Sequence, residues 1–214
     1  MDIYWHGQSC FKIKGKSATI ITDPFDPEMV GLKLPKEMDA NIVSITHDHV
    51  DHNNKKAVTG EPVVVEGPGE YESNGVSIVG IPAFHDNSKG TERGKNTIYN
   101  FIVDGLNIVH MGDFGQDALT PEQVSEIGSC DILMIPVGSV YTIDGKIASE
   151  IVAQLEPRIV IPMHYKIDGL KFELDPIEIF LKAMGVEAPD AIMKLSITKD
   201  KLPEEAKVVV MLKS

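Results

Sequence analysis

Three imidazoles and two carboxylates crowd into six consecutive positions, His47-Asp48-His49-Val50-Asp51-His52. They follow an apolar run, Ile42-Val43-Ser44-Ile45, that reads as a strand. Side chains alternate along a strand, so His47 and His49 should face one side, roughly 6–7 Å apart. Two neutral imidazoles so placed can grip one metal ion. Asp51 and His52 fall where the chain must turn and can offer an oxygen and a nitrogen to a second ion. Imidazole with carboxylate is the ligand set of zinc or a neighbouring first-row divalent metal. A merely polar surface loop would not require this spacing.

More candidates stand just after other apolar runs, on loops where side chains can converge. His85 follows Val79–Phe84, Asp113 follows Leu106–Met111 through Gly112, and His164 follows Arg158–Met163. Taken singly, each has an ordinary explanation as a strand-end or turn residue. Joined to the first cluster, each becomes a ligand candidate. Ligating histidines usually donate their other N–H to a carboxylate or carbonyl. Asp23, which ends a strand before Pro24, is the main candidate for that role, and Asp48 and Asp86 are two more. The polar segment Ser88–Asn96 should border the cavity and offers Arg93, Lys95 and Asn96 as contacts for an anionic substrate. Lys166 is a fourth such contact. Its neighbour Tyr165 is a candidate donor to a developing oxyanion, with packing the alternative. His110 is either a buried strand histidine or a catalytic group near Asp113. His6 reads as structural. Gly67-Pro68-Gly69 lacks the lysine and spacing of a phosphate loop, so a tight turn is expected there, with Glu70 and Glu72 as wall residues. Gly7-Gln8-Ser9-Cys10 is not the G-x-S-x-G elbow of a serine nucleophile.

The H-x-H-x-D-H cluster resembles the signature of the metallo-β-lactamase-fold hydrolase superfamily. The resemblance extends to Ile21-Thr22-Asp23-Pro24, Gly67-Pro68-Gly69-Glu70-Tyr71-Glu72, Phe84-His85-Asp86, His110-Met111-Gly112-Asp113 and Pro162-Met163-His164-Tyr165. More narrowly, the chain looks like the small Zn-dependent hydrolases of this fold, relatives of the ascorbate-6-phosphate lactonase group. The resemblance implies a four-layer αβ/βα sandwich and two divalent metal ions, zinc first, with manganese or iron as alternatives. It implies His47, His49 and His85 on one metal, Asp51, His52 and His164 on the other, and Asp113 bridging. A hydroxide shared by the two ions would attack a small ester, lactone or phosphoester, with Asp51 orienting it and accepting its proton. A phosphodiesterase or ribonuclease of the same fold is an alternative. Related folds also hold di-iron redox centres, but a carboxylate usually replaces one histidine there, so His85 argues for hydrolysis. The fold name does not imply β-lactamase activity.

These donors need a scaffold, and 214 residues suffice for one core, giving a single expected domain over 1–214. The elements are mixed α and β. Strands are expected at Ile3–Trp5, Cys10–Ile13, Ala18–Thr22, Ile42–Thr46, Val63–Glu66 and Val76–Gly80. More follow at Ile98–Val103, Leu106–His110, Asp131–Val137, Arg158–Met163, Ile192–Ile197 and Val208–Leu212. Asp104-Gly105 is a hairpin turn signal. Helices are expected at Asn53–Thr59, from Thr120-Pro121 to about Gly128, at Lys146–Leu155, and from Asp175-Pro176 to before Gly185.

The net charge of −12 disfavours long nucleic acid, whose readers carry basic patches. No apolar run approaches the ~20 residues of a membrane helix. The N-terminus lacks signal-peptide features, and the two cysteines do not suggest a disulfide framework. A cytoplasmic enzyme with a small anionic substrate, and room for homo-oligomer formation, is the expectation. Two divalent ions, less two aspartates and a hydroxide, leave a site charge of about +1.

Overall fold

Apolar residues on neighbouring positions of the early strands fall into two different cores, which places the first sheet between two layers. A computed structural model describes all residues 1–214. Its first sheet has six strands: β1 (Asp2–Gly7), β2 (Cys10–Lys14), β3 (Thr19–Thr22), β4 (Ile42–Ile45), β5 (Val63–Glu66) and β12 (Leu195–Ser196), in the order β12-β1-β2-β3-β4-β5. Cys10, Ile21 and Val43 join a 10-residue cluster on one face. Phe11, Ile20 and Ile42, each one residue away, join a 45-residue cluster on the other. This is period-2 alternation with both faces buried.

The second sheet has seven strands: β6 (Gly69–Ser73), β7 (Val76–Phe84), β8 (Lys95–Val103), β9 (Leu106–His110), β10 (Ile132–Pro136), β11 (Ile159–Met163) and β13 (Lys207–Val208), in the order β13-β11-β10-β9-β8-β7-β6. The helices are α1 (Pro27–Val30), α2 (Pro121–Ile127), α3 (Gly145–Leu155) and α4 (Ile177–Ala183). The connections β9-α2-β10 and β10-α3-β11 join parallel strands. Thr120 caps α2 in a capping box with Gln123. Asp144 caps α3, whose buried face is Ala148, Ile151, Val152 and Leu155. Asp104 and Gly105 both have positive φ, at 51° and 78°, and close the β8–β9 hairpin as expected.

The αβ/βα layering holds, but the helical layer over the first sheet is thin. It consists of the one-turn α1, a 3₁₀ turn at Lys55–Ala57 where a helix over Asn53–Thr59 was expected, and loop residues such as Leu32 and Met38. Strand β6, read from sequence as turn and wall, is a charged edge strand in which Tyr71 packs on the core and Glu70 and Glu72 are exposed. Such charges discourage edge-to-edge association. Strand β7 runs on to Phe84 rather than stopping at Gly80. The two late strands shrink to Leu195–Ser196 and Lys207–Val208, because isolated bridges carry the rest of that pairing. Strands β7, β9 and β11 all run in one direction, so their C-terminal ends share an edge. The end of β4 meets that edge: the Thr97 N–H donates to the Thr46 carbonyl at 2.9 Å, and the Tyr99 hydroxyl donates to the Ile45 carbonyl at 3.0 Å.

Candidate metal centre

The residues that follow β4, β7, β9 and β11 bring two donor groups together. One is His47, His49 and His85; the other is Asp51, His52, Asp113 and His164. Within each group the ligand atoms lie within 4.8 Å of one another. Beyond Ile45 the chain leaves the strand and bends, which corrects the extended geometry expected for His47 and His49. Their Nε2 and Nδ1 atoms face each other at 3.0 Å. Asp113 joins the groups. Its Oδ2 lies 3.2 Å from His52 Nε2, 3.3 Å from His85 Nε2 and 3.4 Å from His164 Nε2. His52, Asp113, His85 and His164 are all buried, and His52 Nε2 makes no hydrogen bond. Buried lone pairs converging from imidazoles and carboxylates suit a divalent cation, so the donor set fits a metal.

Hydrogen bonds settle two of the tautomers. Asp23 accepts the Thr46 hydroxyl at 2.6 Å and the Thr46 N–H at 2.8 Å. The hydroxyl proton being spent, His47 Nδ1 must donate to Thr46 Oγ1 at 3.0 Å, which leaves Nε2 free. His52 Nδ1 donates to Asp23 Oδ2 at 2.9 Å, again freeing Nε2. Asp113 is itself held: its N–H donates to Asn96 Oδ1 at 3.1 Å, and the Ser9 hydroxyl donates to its Oδ1 at 3.4 Å. Two glycines let the ligand-bearing loops approach. A methyl group on Gly115 would collide with the backbone of His85, and one on Gly138 with the carbonyl of His164.

Comparison with known proteins identifies the family and the fold. Residues 2–164 match the Beta-lactamase superfamily domain. The chain belongs to that superfamily. It is 32% identical to a UPF0173 metal-dependent hydrolase of Thermococcus onnurineus, covering 88% of this chain and 94% of the relative. A Thermoplasma volcanium homologue is 30% identical over 81% of this chain and 90% of its own length. The fold superposes on a protein of Thermotoga maritima described as a Zn-dependent hydrolase of the metallo-β-lactamase superfamily, with TM-score 0.82, 39% identity, and coverage of 98% and 97%. The protein is therefore a metal-dependent hydrolase. Human tRNase Z, short form, shares the fold alone, at TM-score 0.55 and 11% identity over 77% of this chain and 92% of that one.

Several candidates in this hydrolase play parts other than those expected. His110 is fully buried and donates from Nε2 to the Ser9 carbonyl at 2.8 Å, the place of the buried strand histidine among its two alternatives. Tyr165 is buried, stacks on Trp5 at 5.1 Å and lines neither cavity beside the cluster, the place of its packing alternative. Asn96 is buried and binds the Met111 carbonyl and the Asp113 N–H, which removes it from substrate contact. Lys166 pairs with Glu173 at 2.7 Å and lines neither cavity beside the cluster. Asp48 is exposed and accepts from Asn53 rather than from a histidine. Asp86 supports no ligand either. It accepts N–H bonds from Ser88, Gly90, Glu92 and Arg93 and so shapes the loop that carries Arg93. Those bonds hold its carboxyl down at about 2, although desolvation works the other way. Asp23 alone of the three expected partners does that job. Of the anion contacts, Arg93 and Lys95 border the cavities.

The charges are tightly coupled. Without an ion, burial opposes a proton on His52, yet Asp113 and Asp51 beside it raise its pKa well above the ordinary value, so a cation at Nε2 would have to displace a proton there. Burial would raise Asp113, but His164 and His52 hold it well below the carboxylate range. His47 is pushed down to about 2 by burial and the neighbouring His52, and so is neutral, as a ligand must be. Asp23→Ala should lower metal affinity by about 10–100-fold, the usual effect of removing such a partner. Metal titration with a competing chelator measures this; unaltered affinity would make Asp23 only a turn residue.

A pH effect arises away from the ligands. His6 is buried, bonded through Nδ1 to Ser214 Oγ at 2.8 Å, and held down to about 4 by desolvation. The unfolded chain takes up that proton near its ordinary value of about 6.5. His6 therefore costs no stability above about 6.5, and stability falls as pH drops toward 4. Urea midpoints between pH 7 and 4 should fall less for His6→Gln than for the unsubstituted chain. Parallel curves would disprove the assignment.

Proposed function

We propose that the protein hydrolyses a small anionic ester, lactone or phosphoester at a dinuclear centre. His47, His49 and His85 would hold one ion and Asp51, His52 and His164 the other, with Asp113 common to both. The observation that carries this reading is the convergence of three imidazole nitrogens on one carboxylate oxygen, Asp113 Oδ2, with the other donor group directly beside it. Two bound divalent ions, zinc first, would supply Lewis acidity and lower the pKa of an attached water. The chain's own residues do the rest. Asp23 and Thr46 fix the tautomers of His52 and His47. Asp51, partly exposed at the cavity of about 450 Å³ above the cluster, orients the nucleophile and takes its proton. Burial would raise Asp51, but His52 keeps it below the usual carboxylate range, so it enters the reaction ionised.

Small substrates are favoured over nucleic acid because the chain carries a net charge of −12. A compact anion can reach the site, whereas a long polyanion meets repulsion along its flanks. The lactonase-like resemblance directs the first assays to lactones and phosphorylated sugars. Both cysteines are free and buried, in keeping with a cytoplasmic enzyme, and no helix is long and apolar enough to cross a membrane.

The test is metal content by mass spectrometry on protein purified without added metal, then a panel of esters, lactones, phosphoesters and structured RNA. Two ions per chain with turnover of small anions is expected. A stoichiometry fixed at one overturns the dinuclear assignment. Cleavage of RNA at physiological salt, with no small-molecule turnover, makes the nuclease alternative the better one.

A further inference from the structure

Two cavities of unlike character meet at His49, with His47 on the side of one and His85 on the side of the other. The larger, about 690 Å³, is the richer in polar side chains and includes Lys55, Arg93 and Lys95 against the carboxylates of Asp48 and Glu66. An excess of cations is notable in a chain of net charge −12. Lys55 is already paired with Glu66 at 2.6 Å, which leaves Arg93 and Lys95 as the cations without an acidic partner. The smaller, about 450 Å³, is walled by Met29, Val50, Tyr141 and Phe172. Met29, Val50 and Tyr141 are exposed apolar side chains, and Tyr141 meets Phe172 edge to face at 5.9 Å. His49, Asp48 and Arg93 border both cavities, so a ligand over the cluster can reach into each.

Arg93 is built into the ridge between them. Its backbone N–H is held by Asp86 at 2.7 Å, its guanidinium donates to the Val140 carbonyl at 3.1 Å, and it lies over the Tyr141 ring at 5.6 Å. The segment it clasps is strained, since Ser139 and Val140 have φ of 53° and 46°. A β-branched residue in that region is a genuine outlier, the kind that persists at ligand clamps.

We infer that the substrate has two unlike ends: a carboxylate or phosphate held in the larger cavity by Lys95 and Arg93, and an aromatic or branched apolar group held in the smaller one by Tyr141 and Phe172, with the scissile bond between them over the metal cluster. This rests on the hydrolase reading above and adds the substrate class to it. An anion gains charge-assisted hydrogen bonds in the polar lobe, and an apolar group leaves water in the other.

Four esters with matched leaving-group reactivity separate the two lobes: monobenzyl glutarate, benzyl pentanoate, monomethyl glutarate and methyl pentanoate. Monobenzyl glutarate should have the highest kcat/KM. Lys95→Ala should lower it about five- to tenfold for the two glutarates only. Phe172→Ala should lower it for the two benzyl esters only, so the effects separate by substrate. A phosphonate in place of the tail carboxylate tells which anion is preferred. Binding is read independently by calorimetry on the metal-loaded protein with N-benzylglutaramic acid and its neutral analogue N-benzylpentanamide. Tighter binding of the charged amide, lost in Lys95→Ala, supports the inference even if none of these esters is turned over; absence of turnover across the whole panel of esters, lactones and phosphoesters would overturn the proposed substrate reading separately. Equal binding of the two amides, or a Lys95→Ala effect the same for charged and neutral ligands, overturns the two-ended substrate.

Discussion

Asp113→Ala lowers kcat/KM by at least about a hundredfold, the upper end of what even an outer partner of a metal ligand costs, and leaves at least one ion loosely bound. Asp113 Oδ2 lies within 3.4 Å of the imidazole nitrogens of His52, His85 and His164, so a single truncation removes the carboxylate that reaches histidines of both donor groups. It also removes a buried negative charge and strands the imidazoles beside it, which is costly because an uncompensated buried charge has no solvent to turn to. Asp113→Asn keeps the shape while removing the charge, and separates loss of metal from loss of fold. Metal per chain, kcat/KM and thermal unfolding should be measured on both variants. Retained activity with metal at full occupancy would reduce Asp113 to a turn residue.

Gly138→Ala is the second large effect, and it needs no contact with substrate. The added methyl collides with the His164 carbonyl oxygen and approaches Tyr165 Cα at 3.1 Å. That segment cannot readily retreat, because Tyr165 is stacked on Trp5 and His164 already sits at φ 52°, a conformation costly for any residue with a side chain. Overpacking of this kind costs about 1–3 kcal/mol, or roughly 2–12 °C in Tm for a chain of this size. The same shift moves His164 from its donor position, so metal affinity should fall as well. Gly138 is not among the glycines of positive φ, so the collision and not backbone strain carries the expected loss. Unchanged Tm and unchanged metal affinity in Gly138→Ala would show that β11 can move aside freely.

The two donor groups were legible because their signal is local chemistry: six positions hold four of the seven donors, and His85, Asp113 and His164 each follow an apolar strand. The supports were less legible because they are made by tertiary approach. Nothing near Ser9 in the chain points to Asp113, which lies 104 residues away. Gly115 and Gly138 look like ordinary loop glycines until the opposing carbonyls are placed. Thr46 had a weak signal, standing between a strand and His47. The surroundings of Tyr165, Lys166 and Asp86 were not legible for one reason: adjacency in sequence to a candidate ligand says nothing of which way a side chain points, and the three turn respectively to Trp5, to Glu173 and to the Ser88–Arg93 loop. The fold was legible where alternation was strong. It failed at β6, whose apolar face is the single residue Tyr71, and at the short α1, whose capped turn is too brief for periodicity to register.

Donors from both sheets have a consequence for how the molecule comes apart. His47 and His49 follow β4 in the first sheet, whereas His85 follows β7 in the second. An ion shared by these three would fasten one sheet to the other. The full donor set exists only after the sheets have docked, so the ion is expected to bind after that docking, on the native side of the folding barrier. Its binding energy then falls on the escape barrier: metal should slow unfolding by orders of magnitude while leaving the refolding rate nearly unchanged. Because unfolding slows while refolding does not, the same ion raises equilibrium stability by the same factor, and starvation for it would shorten the protein's lifetime against proteolysis.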